Sequence, residues 1–343
     1  MPATIRIGTR RSALAMAQTR AIAERLGLAA RAEIQLVPIT THGDTSRESL
    51  SSLGGTGVFA SALRDALLAD ECDLIVHSMK DLPTGSYPGL RFGAVPKRAD
   101  ARDVLCARDG LTLDTLPDGA RVGTGSPRRV AQLRAQRPDL EVVDIRGNVD
   151  TRLSRVFDAA GTDPAQRLDA VVLAAAGLGR LDRLEVVTEY LELSDWPTAP
   201  GQGALALEVR DGQLDRHLLA GLQAVNHASS EATVLAERLV LAGLEAGCAA
   251  PVGAMAIFDS ELLFLTATVY SPDGIRKLTS SHAATPDSRA SAHLAEAARD
   301  VSARVVAELL GNGAVDLAPV ARSIPRDGGL PYGNVEDPTS PGA

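Results

Sequence analysis

The chain has 343 residues, is 45% hydrophobic with 3% aromatic residues, and carries a formal net charge of −8. That length allows two or three domains with separate cores, and an acidic chain with few stacking rings lacks the basic face that a nucleic-acid partner requires. No segment reads as an export signal and none approaches the roughly 20 apolar residues of a membrane span, so a soluble cytoplasmic protein is predicted.

Thr4–Gly8 reads as a short apolar strand, with Ser12 at the N-cap of a helix whose apolar positions run through Leu14, Ala17, Ala21 and Ile22. Glu33–Thr40 reads as a second strand, Val58–Leu68 as a helix and Asp73–His77 as a third strand, an alternation that predicts a parallel α/β sheet. The pattern then recurs. Arg6-Ile-Gly-Thr9 with Ser12 is echoed by Arg121-Val-Gly-Thr124 with Ser126, Ile34–Thr45 by Leu140–Thr151, and Asp73–Val76 by Asp169–Val172. Two α/β domains of similar build are therefore expected. From about His227 a long helix, three strand-like runs (Val252–Phe258, Leu262–Ser271, Ile275–His282) and a helix through Leu310 predict a small α+β domain with an antiparallel sheet. The Pro-, Gly- and Asp-rich residues beyond Arg322 read as a disordered tail.

Each repeat places a Gly-Thr loop and a serine ahead of a helix N-terminus, where free backbone N–H groups and the helix dipole favour an anion. An ordinary capped helix start has the same signature. Arg121 to Arg155 is the densest basic stretch, and Arg128, Arg129, Arg146 and Arg152 fall at strand ends or first helical turns, where planar guanidinium forks suit carboxylates. Arg134, Arg137 and Arg155 read as solvated-face residues. The chain holds only three lysines, and one of them, Lys80, lies in His77-Ser78-Met79-Lys80-Asp81. A carboxylate at a strand's C-terminal edge, as Asp81 is, can stay ionised and stabilise a cation, or it can merely cap a turn. Of the three cysteines, Cys72 and Cys106 have apolar neighbours, whereas Cys248 lies on a loop, in Ala246-Gly-Cys-Ala-Ala-Pro251, open to a covalent link. Gly54-Gly-Thr-Gly57 lacks the Lys-Ser/Thr of a P-loop and reads as a flexible loop at a cleft mouth. The histidines show no metal-ligand spacing.

Taken together, RIGTRRSALAMAQ, TTHGD, HSMKDLP, VGTGSPRR, IRGNVDTRL, AAAGLGRL, APGQGALALE and GCAAPVGA, in this order over roughly residues 4–320, resemble the porphobilinogen deaminase family. The resemblance implies two α/β domains like those of type II periplasmic binding proteins around a cleft, with residues 1–97 and 197–219 in the first and 98–196 in the second. A cofactor-attachment domain would span 223–322, and 323–343 would be the tail. It implies a monomer that condenses four porphobilinogen molecules head to tail, with loss of ammonia, into the linear tetrapyrrole hydroxymethylbilane. By the same resemblance Cys248 carries a dipyrromethane cofactor through a thioether and Asp81 is the catalytic carboxylate. Lys80, Thr124, Ser126, Arg128, Arg129 and Arg152 would hold the cofactor, and Arg10, Ser12, Arg146 and Arg180 the substrate. Ser61 and Ala62 replace the lysine and glutamate that many members carry there, and receive no role. A solute-binding protein shares the two-lobed build, but has no need of a thiol-bearing third domain.

Overall fold

The structure, a computed structural model, describes residues 3–40, 58–158, 161–246 and 250–318. Gly54–Gly57, Cys248 and the residues beyond Arg322 lie outside the described residues. The first sheet contains β1 (Ala3–Arg10), β2 (Ala32–Ile39), β3 (Leu74–Ser78), β4 (Leu90–Ala94) and β10 (Leu205–Arg210) in the order β2-β1-β3-β10-β4. The second contains β5 (Asp103–Ala107), β6 (Arg121–Gly123), β7 (Glu141–Val143), β8 (Ala170–Ala174) and β9 (Glu189–Leu191) in the order β7-β6-β8-β5-β9.

The two orders are the same pattern. In each, three parallel strands adjoin a fourth, antiparallel strand, β10 in one sheet and β5 in the other. The sequence repeat maps onto β1/β6, β2/β7 and β3/β8. Its Asp73 and Asp169 do the same work in each copy, each accepting a 2.7 Å bond from a backbone N–H of the neighbouring strand, at Arg6 within β1 and at Arg121, the first residue of β6. The expected parallel sheet is thus mixed. The antiparallel strands come from the two crossovers between sheets, so β10 is separated from β3 by the whole second domain, and local periodicity does not report it.

Helices cover both sheets: α1 (Ala13–Ala30), α2 (Val58–Leu68) and α6 (Arg216–Val225) belong with the first, and α3 (Pro127–Gln136), α4 (Val149–Phe157) and α5 (Ala175–Arg180) with the second. α1 starts where its sequence says, with the Ser12 hydroxyl accepting from Ala15 N at 3.3 Å. The small α+β domain packs α7 (Ala228–Gly243) and α8 (Ser291–Gly311) on the antiparallel sheet β11 (Val252–Asp259), β12 (Leu262–Tyr270) and β13 (Lys277–Ala284). Its Pro272-Asp273-Gly274 turn seats on α3. Gly274 has φ +78°, and a Cβ there would lie 2.5 Å from Ala131 O. Among the described residues no helix is long and apolar enough to cross a membrane.

Candidate active site

β3 ends at Ser78 and the chain turns through a single 3-10 turn, Met79–Asp81, anchored by the fully buried Met79. The turn leaves Asp81 exposed and Lys80 half-buried. Lys80 Nζ donates to Gln202 Oε1 at 3.1 Å, and burial, followed by the Arg129 charge, pushes its ammonium down to about 8 against the pull of Asp81. From the third domain Arg238 of α7 donates to Leu82 O at 3.0 Å and Pro83 O at 2.6 Å, pinning the residues that follow Asp81.

Across from this turn, α3 begins at Pro127 with Ser126 at its N-cap. Arg128 and Arg129 are buried, and both meet Asp103, the first residue of β5, which is fully buried. Arg128 Nη2 lies 2.8 Å from Oδ2 and Arg129 Nη2 lies 2.6 Å from Oδ1. Trp196 Nε1 and Gln202 Nε2 complete the carboxylate at 2.9 and 2.8 Å. Burial would raise Asp103, but the two guanidiniums more than offset it and hold the carboxyl below the usual carboxylate range. Arg128 Nη1 also donates to Gln132 Oε1 and Pro197 O, and Arg129 Nη1 to Val172 O. The Nε atoms of Arg128, Arg129 and Arg146 are buried and have no hydrogen-bond partner among the described residues.

Arg146, just past β7, and Arg152, in the first turn of α4, extend the cluster. Burial, then Arg129 and Arg146, push Arg152 down to about 10 while Asp144 and Asp81 oppose them. Arg152 Nε is tied to Gly147 O at 2.9 Å. Arg180, at the end of α5, donates to Gly203 O at 2.7 Å and is pushed down to about 10 by burial. Thr124 is buried, and its hydroxyl accepts from Ser126 N at 3.3 Å. Ser126 itself makes no side-chain cap bond to α3, unlike Ser12 on α1. Arg10 is half-buried at the end of β1.

Two details differ from the sequence reading. Arg128 and Arg129 are not loose cations at a cleft wall but a buried ion-paired unit with Asp103. Arg137, read as solvated, donates to Leu113 O and Leu116 O at 2.6 and 2.9 Å and ties a loop to α3. Sequence reasoning assigned nothing to Asp103, Trp196, Gln202 or Arg238. Gln202 had a signal, its place between two glycines in Ala199-Pro-Gly-Gln-Gly203, whereas Asp103 has none, since its partners are 25 residues and more away. Cys72 and Cys106 are buried, and desolvation pushes their thiols up to about 11 and about 12. Among the described residues no group of three His, Cys, Asp or Glu side chains is placed to hold a metal ion.

Desolvated cations that depress one another, with buried N–H groups lacking acceptors, are what a ligand rich in carboxylates would satisfy. As a class, this is a two-lobed α/β protein whose lobes bring a cluster of desolvated cations next to the exposed Asp81. Residues 5–217 match the family model described as porphobilinogen deaminase, dipyromethane cofactor binding domain, and residues 232–310 match the porphobilinogen deaminase C-terminal domain. The chain is 68% identical over 318 residues to the porphobilinogen deaminase of Leifsonia xyli, covering 92% of this chain and 94% of that one. It is 52% identical to that of Micrococcus luteus, with 80% of each chain covered. A solved structure of a methionine binding protein is similar at a TM-score of 0.41, 11% identical, over 65% of this chain and 89% of that one. The chain belongs to the porphobilinogen deaminase family.

Proposed function

We propose that this chain condenses four porphobilinogen molecules head to tail into hydroxymethylbilane for tetrapyrrole biosynthesis, as a monomer in the cytoplasm. The observation that carries the reading is the cluster of Lys80, Arg129, Arg146 and Arg152, under-neutralised by its own neighbours and adjoining Asp81. The three partnerless Nε–H groups are suited to pyrrole carboxylates, so the residues present fit a dipyrromethane. Lys80, Arg128, Arg129 and Arg152, with Thr124 and Ser126, would hold it, and Arg10, Ser12, Arg146 and Arg180 would hold incoming substrate. Bound to Cys248 through a thioether, dipyrromethane would supply the free pyrrole α-carbon that is joined to substrate. The three-domain division at 1–97 with 197–219, 98–196 and 223–322 belongs to the same reading, and the return of β10 to the first sheet supports it.

The chain's own contribution is electrostatic. When porphobilinogen loses ammonia its C–N bond breaks with the electron pair, leaving a pyrrole cation. Asp81 stabilises the charge at the pyrrole N–H and assists removal of the proton displaced when the new C–C bond forms. Arg238 keeps the Asp81 turn in place through the carbonyls of Leu82 and Pro83. At about 4 Å the attraction is worth about 1 kcal/mol in open water and about 4 kcal/mol once ligand has displaced it. Asp81 is exposed here, so only the filled site reaches the upper figure. Asp81→Asn should therefore fold normally and slow single turnover of porphobilinogen between about 5-fold and 10³-fold. A rate within threefold of the parent would return Asp81 to a turn cap.

A further inference from the structure

Gln202 stands between the two halves of the site. It lies in the crossover that leads from the second sheet to β10 and is fully buried. Its Nε2 donates to Ala101 O and to Asp103 Oδ1, each at 2.8 Å. Both partners are pure acceptors, so the amide nitrogen must face them, and Oε1 is left to accept from Lys80 Nζ at 3.1 Å. The backbone is held as firmly, with Arg98 Nε, from the other crossover, donating to Gln202 O at 2.8 Å and Gln202 N donating to Ala199 O at 2.9 Å. Three hydrogen bonds thus run from Lys80 through Gln202 and Asp103 to Arg129, from the Asp81 turn in the first lobe to α3 in the second.

We propose that Gln202 is a positioning residue for the carboxylate site, holding the Lys80 ammonium at a set place relative to Arg128 and Arg129 across the two crossovers. The proposal rests on the reading of these cations as the pyrrole-carboxylate site. A lysine has four rotatable bonds, and Lys80 faces Arg128 and Arg129 as well as Asp81 and Asp103. Without a neutral acceptor on its inner side, like-charge repulsion and the pull of Asp81 would both draw the ammonium outward. Glutamine alone combines the required features: asparagine is one methylene too short, glutamate would set a carboxylate against two acceptors, and methionine has the length without the hydrogen bonds.

The chain's small lysine count makes the contact observable. In protein labelled with ¹⁵Nζ-lysine, Lys80, Lys97 and Lys277 give three ammonium resonances, and Lys80→Arg assigns the one of interest. Gln202→Met should lower the Lys80 pKa by about half a unit or more, because the charged form loses an acceptor. Gln202→Asn, one methylene too short to reach Lys80, should lower it likewise, and this arm decides the matter if the methionine variant does not fold. With the covalent mass of the loaded enzyme retained, Gln202→Met should also reduce kcat for porphobilinogen about tenfold or more while KM moves less than threefold, the pattern of a misplaced reacting group. A lower melting temperature with an unmoved Lys80 pKa and unchanged kcat per loaded enzyme would overturn the proposal and leave Gln202 a packing residue. If Lys80 shifts as stated in both variants but Lys80→Met keeps full loading and turnover, the coupling stands and the carboxylate-site reading falls instead.

Discussion

Asp103→Asn is the substitution that bears hardest on the two-lobed design, because one buried carboxylate accepts four hydrogen bonds, two of them from guanidiniums at 2.6 and 2.8 Å. Asparagine keeps the shape but has a single acceptor oxygen. If that oxygen faces Arg129 and Gln202, the new amide group points its N–H bonds at Arg128 and Trp196, and the reverse orientation shifts the conflict to the other pair. Either way two donors lose their acceptor and two desolvated guanidiniums lose their counter-charge. Removing one partner of a buried ion pair costs about 3–5 kcal/mol, and the stranded donors place this case toward the upper end. The assay is urea unfolding of cofactor-loaded protein, with the Trp196 fluorescence as probe, since this is the chain's one tryptophan. Loaded protein should lose less than cofactor-free protein, because pyrrole carboxylates can partly replace Asp103 as counter-charge. A loss below about 1 kcal/mol in both forms would mean that the cluster is open to water, and the reasoning from burial would fail.

Three further outcomes are expected. The isolated protein should be heavier than its sequence by one dipyrromethane, and Cys248→Ser should abolish the added mass. Cys72→Ala and Cys106→Ala should leave it unchanged, since both thiols are buried and pushed up to about 11 and about 12; mass spectrometry of denatured protein decides between them. Gly203→Ala should destabilise by about 1–3 kcal/mol, because Gly203 has φ +84° and a Cβ would lie 2.7 Å from Ala99 O; an unchanged denaturation midpoint would contradict the crossover geometry. Glu208, buried between Arg64 at 2.6 Å and His77 at 3.1 Å, is held down to about 2 by those partners although burial alone would raise it. Its folded-state value lies below the unfolded value of about 4.3, so its contribution, at most about 3 kcal/mol, is present above that pH and lost as pH falls towards 2. Glu208→Gln should flatten this part of the stability profile, and an unaltered acid limb would assign it to other carboxylates.

How much could be read from the chain depended on whether partners were close in sequence. The repeat was legible because Asp73 and Asp169 clasp β1 and β6 in the same way, at Arg6 and Arg121, which requires the same residues at the same offsets twice. The Ser12 cap and the boundaries of α2 were equally local. The antiparallel strands were not legible, since β5 and β10 look like any short apolar run and only the crossovers decide which sheet they join. The burial of Arg128 and Arg129 was hidden for a related reason. An Arg-Arg pair in a basic stretch gives no sign that an acid 25 residues earlier will enclose it, and the Ala199-Pro-Gly-Gln-Gly203 motif gave Gln202 a place without a partner.

The pairing with Asp103 bears on how the site can treat a growing chain. Within the cluster, Lys80, Arg128, Arg129, Arg146 and Arg152 are opposed by Asp103, Asp81 and Asp144, five cations against three acids. Asp103 is buried and held below the usual carboxylate range by Arg128 and Arg129, so it fixes the arginines in place while cancelling part of their charge. A bare cluster of five would hold the first polycarboxylate so tightly that further condensations would gain little, since binding that does not strengthen in the transition state does not raise kcat. A cluster reduced to a small surplus holds a primer but cannot neutralise every carboxylate of a lengthening chain, because each added pyrrole brings two more. Arg180, desolvated and tied to Gly203 beside Gln202, is a cation outside that cluster.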